Sequence, residues 1–164
     1  MISIGHNHPR FVEALKSQLD KISFYSNSVK NSLQEKLAEK LGQLSGYPNH
    51  QLFLCNSGAE ANENALKLAS FVTRRKKIIA FKKAFHGRTS GAVAATDNPK
   101  IVAPFNAGHD IVFLLLNDEK AFNDAINKDI AAVIIEGIQG VGGIQLPDNS
   151  FLTLLSEKCK EVGA

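Results

Sequence analysis

Tryptophan is absent from the 164 residues, methionine occurs once and cysteine twice. The two cysteines, Cys55 and Cys159, lie far apart and form no C-x-x-C pair. That excludes a disulfide framework and a structural zinc site, and it predicts two buried, reduced thiols in a cytosolic protein. Charge of one sign is scarce: 19 basic against 16 acidic residues leaves a surplus of +3, too small to predict a nucleic-acid or membrane partner. Long apolar runs are missing too. The longest, Ile111–Leu116 and Ile130–Ile135, fall far short of the ~20 residues that span a bilayer. Met1–Arg10 holds no apolar stretch of a secretory signal, so none is expected. What remains, 44% hydrophobic and 21% charged, is ordinary globular sequence with enough chain to bury a sizeable core.

Helical and extended patterns alternate. Phe11, Leu15, Leu19 and Ile22 share one helical face after Pro9, and Leu33, Leu37, Leu41 and Leu44 repeat that spacing until Gly46 and Pro48 stop it. Leu52–Cys55 reads as a short buried strand. A helical face of Ala61, Ala65, Leu68, Ala69 and Val72 follows. Arg74–Lys77 reads as a solvated basic connector, Lys77–Phe81 as a strand and Phe85–Arg88 as a loop. Strands are expected at Ile111–Leu115 and Ile130–Ile135, and helices at Asp118–Asn127 and Ser150–Val162, the last capped by Ser150. Apolar strands separated by helices imply an α/β protein with a mostly parallel sheet covered on both faces. Residues 1–48 carry no strand and read as a helical arm or part of a small domain, with the α/β region over 49–164. Both ends look cut: no strand leads into Ile2, and a helix ends at Gly163 where a strand should follow.

Three stretches carry the chemistry. Asn56-Ser57-Gly58-Ala59-Glu60-Ala61-Asn62-Glu63 opens a helix, where free backbone N–H groups beside Gly58 make a phosphate cradle to which Ser57 adds a hydroxyl. The same residues also spell a plain capping box, with Ser57 as cap and Glu60 as its partner. Ala84-Phe85-His86-Gly87-Arg88-Thr89 sets a ring-stacking Phe beside an Arg whose planar fork suits a carboxylate; the plain alternative is a turn with Phe85 in the core. Glu136-Gly137-Ile138-Gln139-Gly140-Val141-Gly142-Gly143 puts an acid and a Gly-rich loop at the carboxyl end of a strand, where open α/β sheets bind ligands. If each stretch follows a strand of one parallel sheet, all three line one pocket. His6-Asn7-His8 reads as a turn before Pro9, because two histidines alone do not make a metal site. A nucleotide site at Gly140–Gly143 is disfavoured, since Pro147 and no helix follows.

Together, Gly5-His6-Asn7-His8-Pro9, the Asn56–Glu63 octet, Phe85-His86-Gly87-Arg88-Thr89 and Glu136-Gly137-Ile138-Gln139-Gly140 resemble, in order and spacing, the class III (ornithine-type) pyridoxal-phosphate aminotransferases, nearest their acetylornithine branch. The resemblance covers the whole chain. It implies the aspartate-aminotransferase-type fold (fold type I), with 49–164 as the first, incomplete part of the large domain. It implies pyridoxal 5'-phosphate as cofactor, held by Ser57, Gly58, Ala59, Phe85, His86 and Glu136, and substrate contacts from Arg88 and Gln139. No metal is implied. The implied reaction moves the terminal amine of N-acetylornithine or N-succinylornithine to 2-oxoglutarate in arginine biosynthesis, in a cytoplasmic homodimer. Ornithine aminotransferase is the alternative within the family, and a non-catalytic α/β module binding a phosphate ligand is the alternative outside it. The family's Schiff-base Lys motif and the Asp that pairs with the pyridinium nitrogen are not among these residues, so the chain alone is expected to be an inactive fragment.

Gly137 and Val141 stand where the family usually has Pro and a second Glu. Val141 removes a negative charge that would repel a second substrate carboxylate by ~1–4 kcal/mol at 4 Å, depending on effective dielectric. The pocket of a full-length enzyme carrying this chain is therefore expected to tolerate a more anionic acyl group, such as succinyl rather than acetyl, and Val141→Glu to change the ratio of kcat/KM for the two substrates. Equal kcat/KM ratios for the two substrates in both variants would contradict this.

Overall fold

The computed structural model describes residues 3–23, 26 and 28–164, so Ile2 lies outside the described residues. The chain divides into two compact units, Met1–Phe53 and Leu54–Ala164. The first holds helices α1 (Pro9–Leu19) and α2 (Ser32–Ser45). His6–His8 forms a turn in which Asn7 is left-handed, and Pro9 takes the first helical position, where its missing N–H costs nothing. Asn31 caps α2 by accepting from the Leu33 N–H at 2.9 Å, and Gly46, left-handed at φ 78°, ends it. Ile22 falls beyond α1. The apolar stripes form as expected but are not covered within the unit: Phe11, Leu15, Leu33 and Leu37 are all exposed, and among the described residues of the unit only Gly42 is buried.

The second unit is built on a three-stranded parallel sheet of order β2-β1-β3, with β1 at Lys77–Phe81, β2 at Ile111–Leu114 and β3 at Ile130–Val133. Helices α3 (Gly58–Thr73), α4 (Ser90–Ala94), α5 (Glu119–Ala125) and α6 (Asn149–Val162) surround it. Side chains alternate across β1. Ile79 and Phe81 point into a core with Phe122 of α5 and Phe151 and Leu155 of α6, where Phe151 meets both Phe81 and Phe122 edge to face. Ile78 and Ala80, also buried, point to the opposite face, where α3 packs against β3 and α4 against α3. The central strand is buried on both faces as expected, while the flanking strands are mostly half-buried.

Several expectations need correction. Leu52–Cys55 is not a strand: it is irregular, with Phe53 and Leu54 exposed, because no neighbouring strand offers it a hydrogen-bonding ladder. Cys55 is consequently exposed, and Cys159 is only half-buried, so the thiols are free but not fully buried. Burial pushes the Cys159 thiol up. The face of α3 bearing Leu68 and Val72 points outward, and the inward face carries small and polar residues such as Asn62, Glu63 and Ser70. Regular pairing on β3 stops at Val133, although the Ile134 N–H still donates to Ile79 O at 2.9 Å. Asp148, not Ser150, precedes α6 as its cap residue. Arg75 is not a solvated connector residue. Its guanidinium donates to the carbonyls of Ile130 and Val162, both at 3.0 Å, and so ties the start of β3 to the carboxyl end of α6. None of the described helices is long and apolar enough to cross a membrane.

Candidate active site

The candidate residues converge on the turn that follows β1. Because the sheet is parallel, the loops after β1 and β3 open on the same edge, and the Glu136 loop reaches the β1 loop directly. Glu136 Oε1 accepts from the Phe85 N–H at 2.9 Å, and Gln139 Nε2 donates to Lys82 O at 3.1 Å. Gly142 closes on the same turn so tightly that a Cβ there would stand 2.7 Å from Lys83 O. The Asn56–Glu63 stretch arrives differently. It follows no strand, and it joins the site through helix α3 instead.

At the start of α3 Ser57 caps the helix, and Glu60 reaches back one residue further than in a standard capping box, to Asn56. Ser57 Oγ accepts from the Glu60 N–H at 3.2 Å, and Glu60 Oε2 accepts from the Asn56 N–H at 2.7 Å. These bonds use the N–H groups of Asn56 and Glu60 and leave those of Gly58 and Ala59, in the first turn, without an intrahelical acceptor. The Ser57 hydroxyl keeps its proton free to donate. The plain capped helix and the phosphate cradle are therefore compatible in one structure, and the donor set fits a phosphate: two helix-terminal N–H groups, a hydroxyl and the positive end of a four-turn dipole.

Gly87 locks that helix terminus to the β1 loop. Its φ of 135° is closed to other residues, and a Cβ on it would lie 2.5 Å from Ala59 Cβ and 2.8 Å from Ala59 Cα. Around this contact, Asn62 Nδ2 donates to His86 O at 2.8 Å. Buried Thr96 accepts from the His86 N–H at 2.9 Å and donates to Ala92 O at 2.9 Å. Asp97 Oδ2 accepts from the Lys83 N–H at 2.8 Å.

The side chains on this frame divide into two sets. Phe85 is exposed and Arg88 is exposed, so Phe85 is not a core residue, and no carboxylate lies within salt-bridge distance of Arg88 among the described residues. Glu136 is half-buried. By contrast, His86 and Gln139 are buried at 4% and 1% exposure, with His86 Nε2 and Gln139 Oε1 unpartnered among the described residues. Burial lowers the His86 pKa against the opposing charge of Glu136, so its imidazole stays neutral. Both side chains are thus enclosed within the loops that carry them.

Glu63 and the short helix α4 escaped the sequence reading. The run Ser90–Ala94 is too short and too rich in small residues to show a helical period. Yet Glu63 Oε1 accepts from the Gly91 N–H at 2.9 Å, and Oε2 accepts from the Ala92 N–H at 2.9 Å and the Thr89 hydroxyl at 2.7 Å. The only sequence signal is an acid on the small-residue face of α3. Burial raises the Glu63 pKa, but the bonds from Thr89, Gly91 and Ala92, helped by the charge of His109, outweigh it, and the net shift is downward. A carboxyl with a depressed folded-state pKa contributes stability that is complete above the ordinary carboxylate range. That contribution is lost as pH falls through the depressed value. Glu63→Gln should therefore lower the melting temperature at neutral pH, and its deficit against the parent should shrink as pH falls below the ordinary carboxylate range. A deficit independent of pH would contradict this account.

The profile of the family Aminotransferase class-III matches residues 1–164. The acetylornithine aminotransferases of Bacillus amyloliquefaciens and Bacillus subtilis are each 44% identical to the chain over 163 residues, and 97% of the chain is covered in both cases. The chain spans 69% of the first protein and 41% of the second. Among solved structures, the ornithine aminotransferase of Toxoplasma gondii superposes with a TM-score of 0.88 at 26% identity, over 99% of the chain and 40% of that protein. The taurine:2-oxoglutarate aminotransferase of Bifidobacterium kashiwanohense, solved with pyridoxal phosphate (PLP) and glutamate, superposes with a TM-score of 0.85 at 26% identity, over 97% of the chain and 42% of that protein.

Proposed function

The chain belongs to the class-III aminotransferases, and on that premise we propose that it is the part of such an enzyme that grips the cofactor phosphate and the substrate carboxylate. The fold is the fold type I of these enzymes, represented by part of the large domain. What carries the reading is the convergence of the Gly58–Ala59 helix terminus, Phe85, Arg88 and Glu136 on one braced turn. Pyridoxal phosphate, the cofactor of this family, supplies an electron sink for amine transfer when bound. The chain's own residues do the holding. Gly58 and Ala59 direct N–H groups, and Ser57 a hydroxyl, at the phosphate. Phe85 offers an exposed ring face to the cofactor ring. Arg88, exposed and without an ion-pair partner among the described residues, receives a substrate carboxylate through its planar fork. Glu136, by accepting from the Phe85 N–H, holds the backbone of the Phe85 turn against the loop after β3.

The amine donor we propose is an N-acylated ornithine, giving its terminal amine to 2-oxoglutarate, and the identity to acetylornithine aminotransferases supports it. The structural likeness to an ornithine aminotransferase supports free ornithine as the second reading. The setting that goes with this reading is arginine biosynthesis in a cytoplasmic homodimer. On this reading no lysine of these 164 residues stands in the family's Schiff-base motif, and the proton transfers at the reacting carbon would fall to other residues of the full-length enzyme.

The test is a full-length enzyme carrying this chain, loaded with pyridoxal phosphate and assayed for amine transfer from N-acetylornithine to 2-oxoglutarate. Arg88→Ala should raise KM for both carboxylate substrates by about 30-fold, from roughly 2 kcal/mol lost with a charge-assisted bond. The isolated 164-residue chain should transfer no amine. Transfer by the isolated chain, or KM values indifferent to Arg88→Ala, would overturn the proposal.

A further inference from the structure

The backbone on either side of Arg88 is clamped, while its side chain is not. On one side, Gly87 lies against Ala59 with no space for a Cβ. On the other, Thr89, Gly91 and Ala92 all donate to the single carboxylate of Glu63, at 2.7, 2.9 and 2.9 Å. Glu63 stands on α3, the same helix whose first residues, Gly58 and Ala59, present the free N–H groups. Glu63 stands five positions after Gly58, a rise of about 7.5 Å. The first two turns of α3 thus act as a ruler, with the anion-binding terminus at their start and, about one and a half turns further on, the carboxylate that holds the Arg88 segment.

We propose that Glu63, acting through Thr89 and the first turn of α4, is the positioning residue that fixes the distance from Arg88 to the Gly58–Ala59 N–H groups, and so determines selectivity for amine donors and acceptors that carry a carboxylate. The inference rests on the reading of Arg88 as the carboxylate receiver. A guanidinium on a long stem has many rotamers, and only a fixed Cα confines the fork to one volume at low entropic cost. Replacing the Glu63 carboxylate by an amide sets an N–H against an N–H at the start of α4, which breaks the clamp without removing bulk. Replacing Thr89 by Val removes one of the three donors and keeps the shape.

The experiment uses the full-length holoenzyme as parent, Glu63→Gln, Thr89→Val and Thr89→Ser. KM and kcat are measured for 2-oxoglutarate, for the acylated ornithine and for a simple alkylamine donor without a carboxylate. Calorimetry gives the Kd of glutarate, a dicarboxylate that does not react. Glu63→Gln and Thr89→Val should raise KM for the carboxylate substrates and Kd for glutarate by about tenfold. Their kcat values and the alkylamine KM should move less than about twofold, and Thr89→Ser should restore parental values. Equal losses with the alkylamine, no rescue by Ser, or an unchanged glutarate Kd would each overturn the proposal. Should Glu63→Gln fail to fold, the Thr89 pair decides the question. A parent enzyme that transfers no amine at all would remove the functional reading and this inference with it, a result recognisable because it appears before any substitution is made.

Discussion

Two backbones meet where Gly87 lies on Ala59, and the approach leaves no volume for a side-chain carbon between them. Everything on the candidate site is placed relative to that contact. The helix terminus that offers N–H groups to an anion lies on one side of it, and the turn that carries Phe85 and Arg88 lies on the other. The contact is tight because the surrounding hydrogen bonds pull from several directions. Asn62 holds His86, Thr96 holds both His86 and the carbonyl of Ala92, and Glu63 holds the start of α4. Each bond contributes only about 1 kcal/mol net, but together they leave the turn a single conformation.

The same economy explains where the polar residues lie. The interior of the second unit is divided by the sheet. One side is an aromatic core of Phe81, Phe122 and Phe151, which supplies the apolar burial. The other side, between the sheet and α3, is lined by small residues and by polar side chains that bond to backbone. That side is poor in apolar burial and rich in directional contacts. Those contacts fix position more than they add burial, since each contributes only about 1 kcal/mol net.

Much of this was legible in the sequence, and the failures have physical reasons. The central strand, both long amino-terminal helices and α6 follow from apolar spacing, and Gly46 and Gly163 end their helices in the left-handed conformation expected of glycine. Leu52–Cys55 has the composition of a strand but lacks a partner, and a strand is a property of a pair of segments. Leu68 and Val72 mark an apolar face of α3, yet periodicity does not say which face meets the sheet. Gln139 and His86 are buried, and how far a loop side chain is buried depends on packing that motif position does not encode. The acid with most bonds in the site, Glu63, stood within a motif already singled out. Its partners are 26 to 29 residues away on a helix too short to announce itself.

If the two loops form one rigid site, disturbing their contact must affect both ligand groups at once. The most direct measurement is a pair of dissociation constants, for pyridoxal phosphate and for glutarate, in the full-length parent and in Gly87→Ala. The account predicts that both constants rise together, because the added Cβ forces α3 and the turn apart. A loss of one affinity with the other intact, or no change in either, would contradict it.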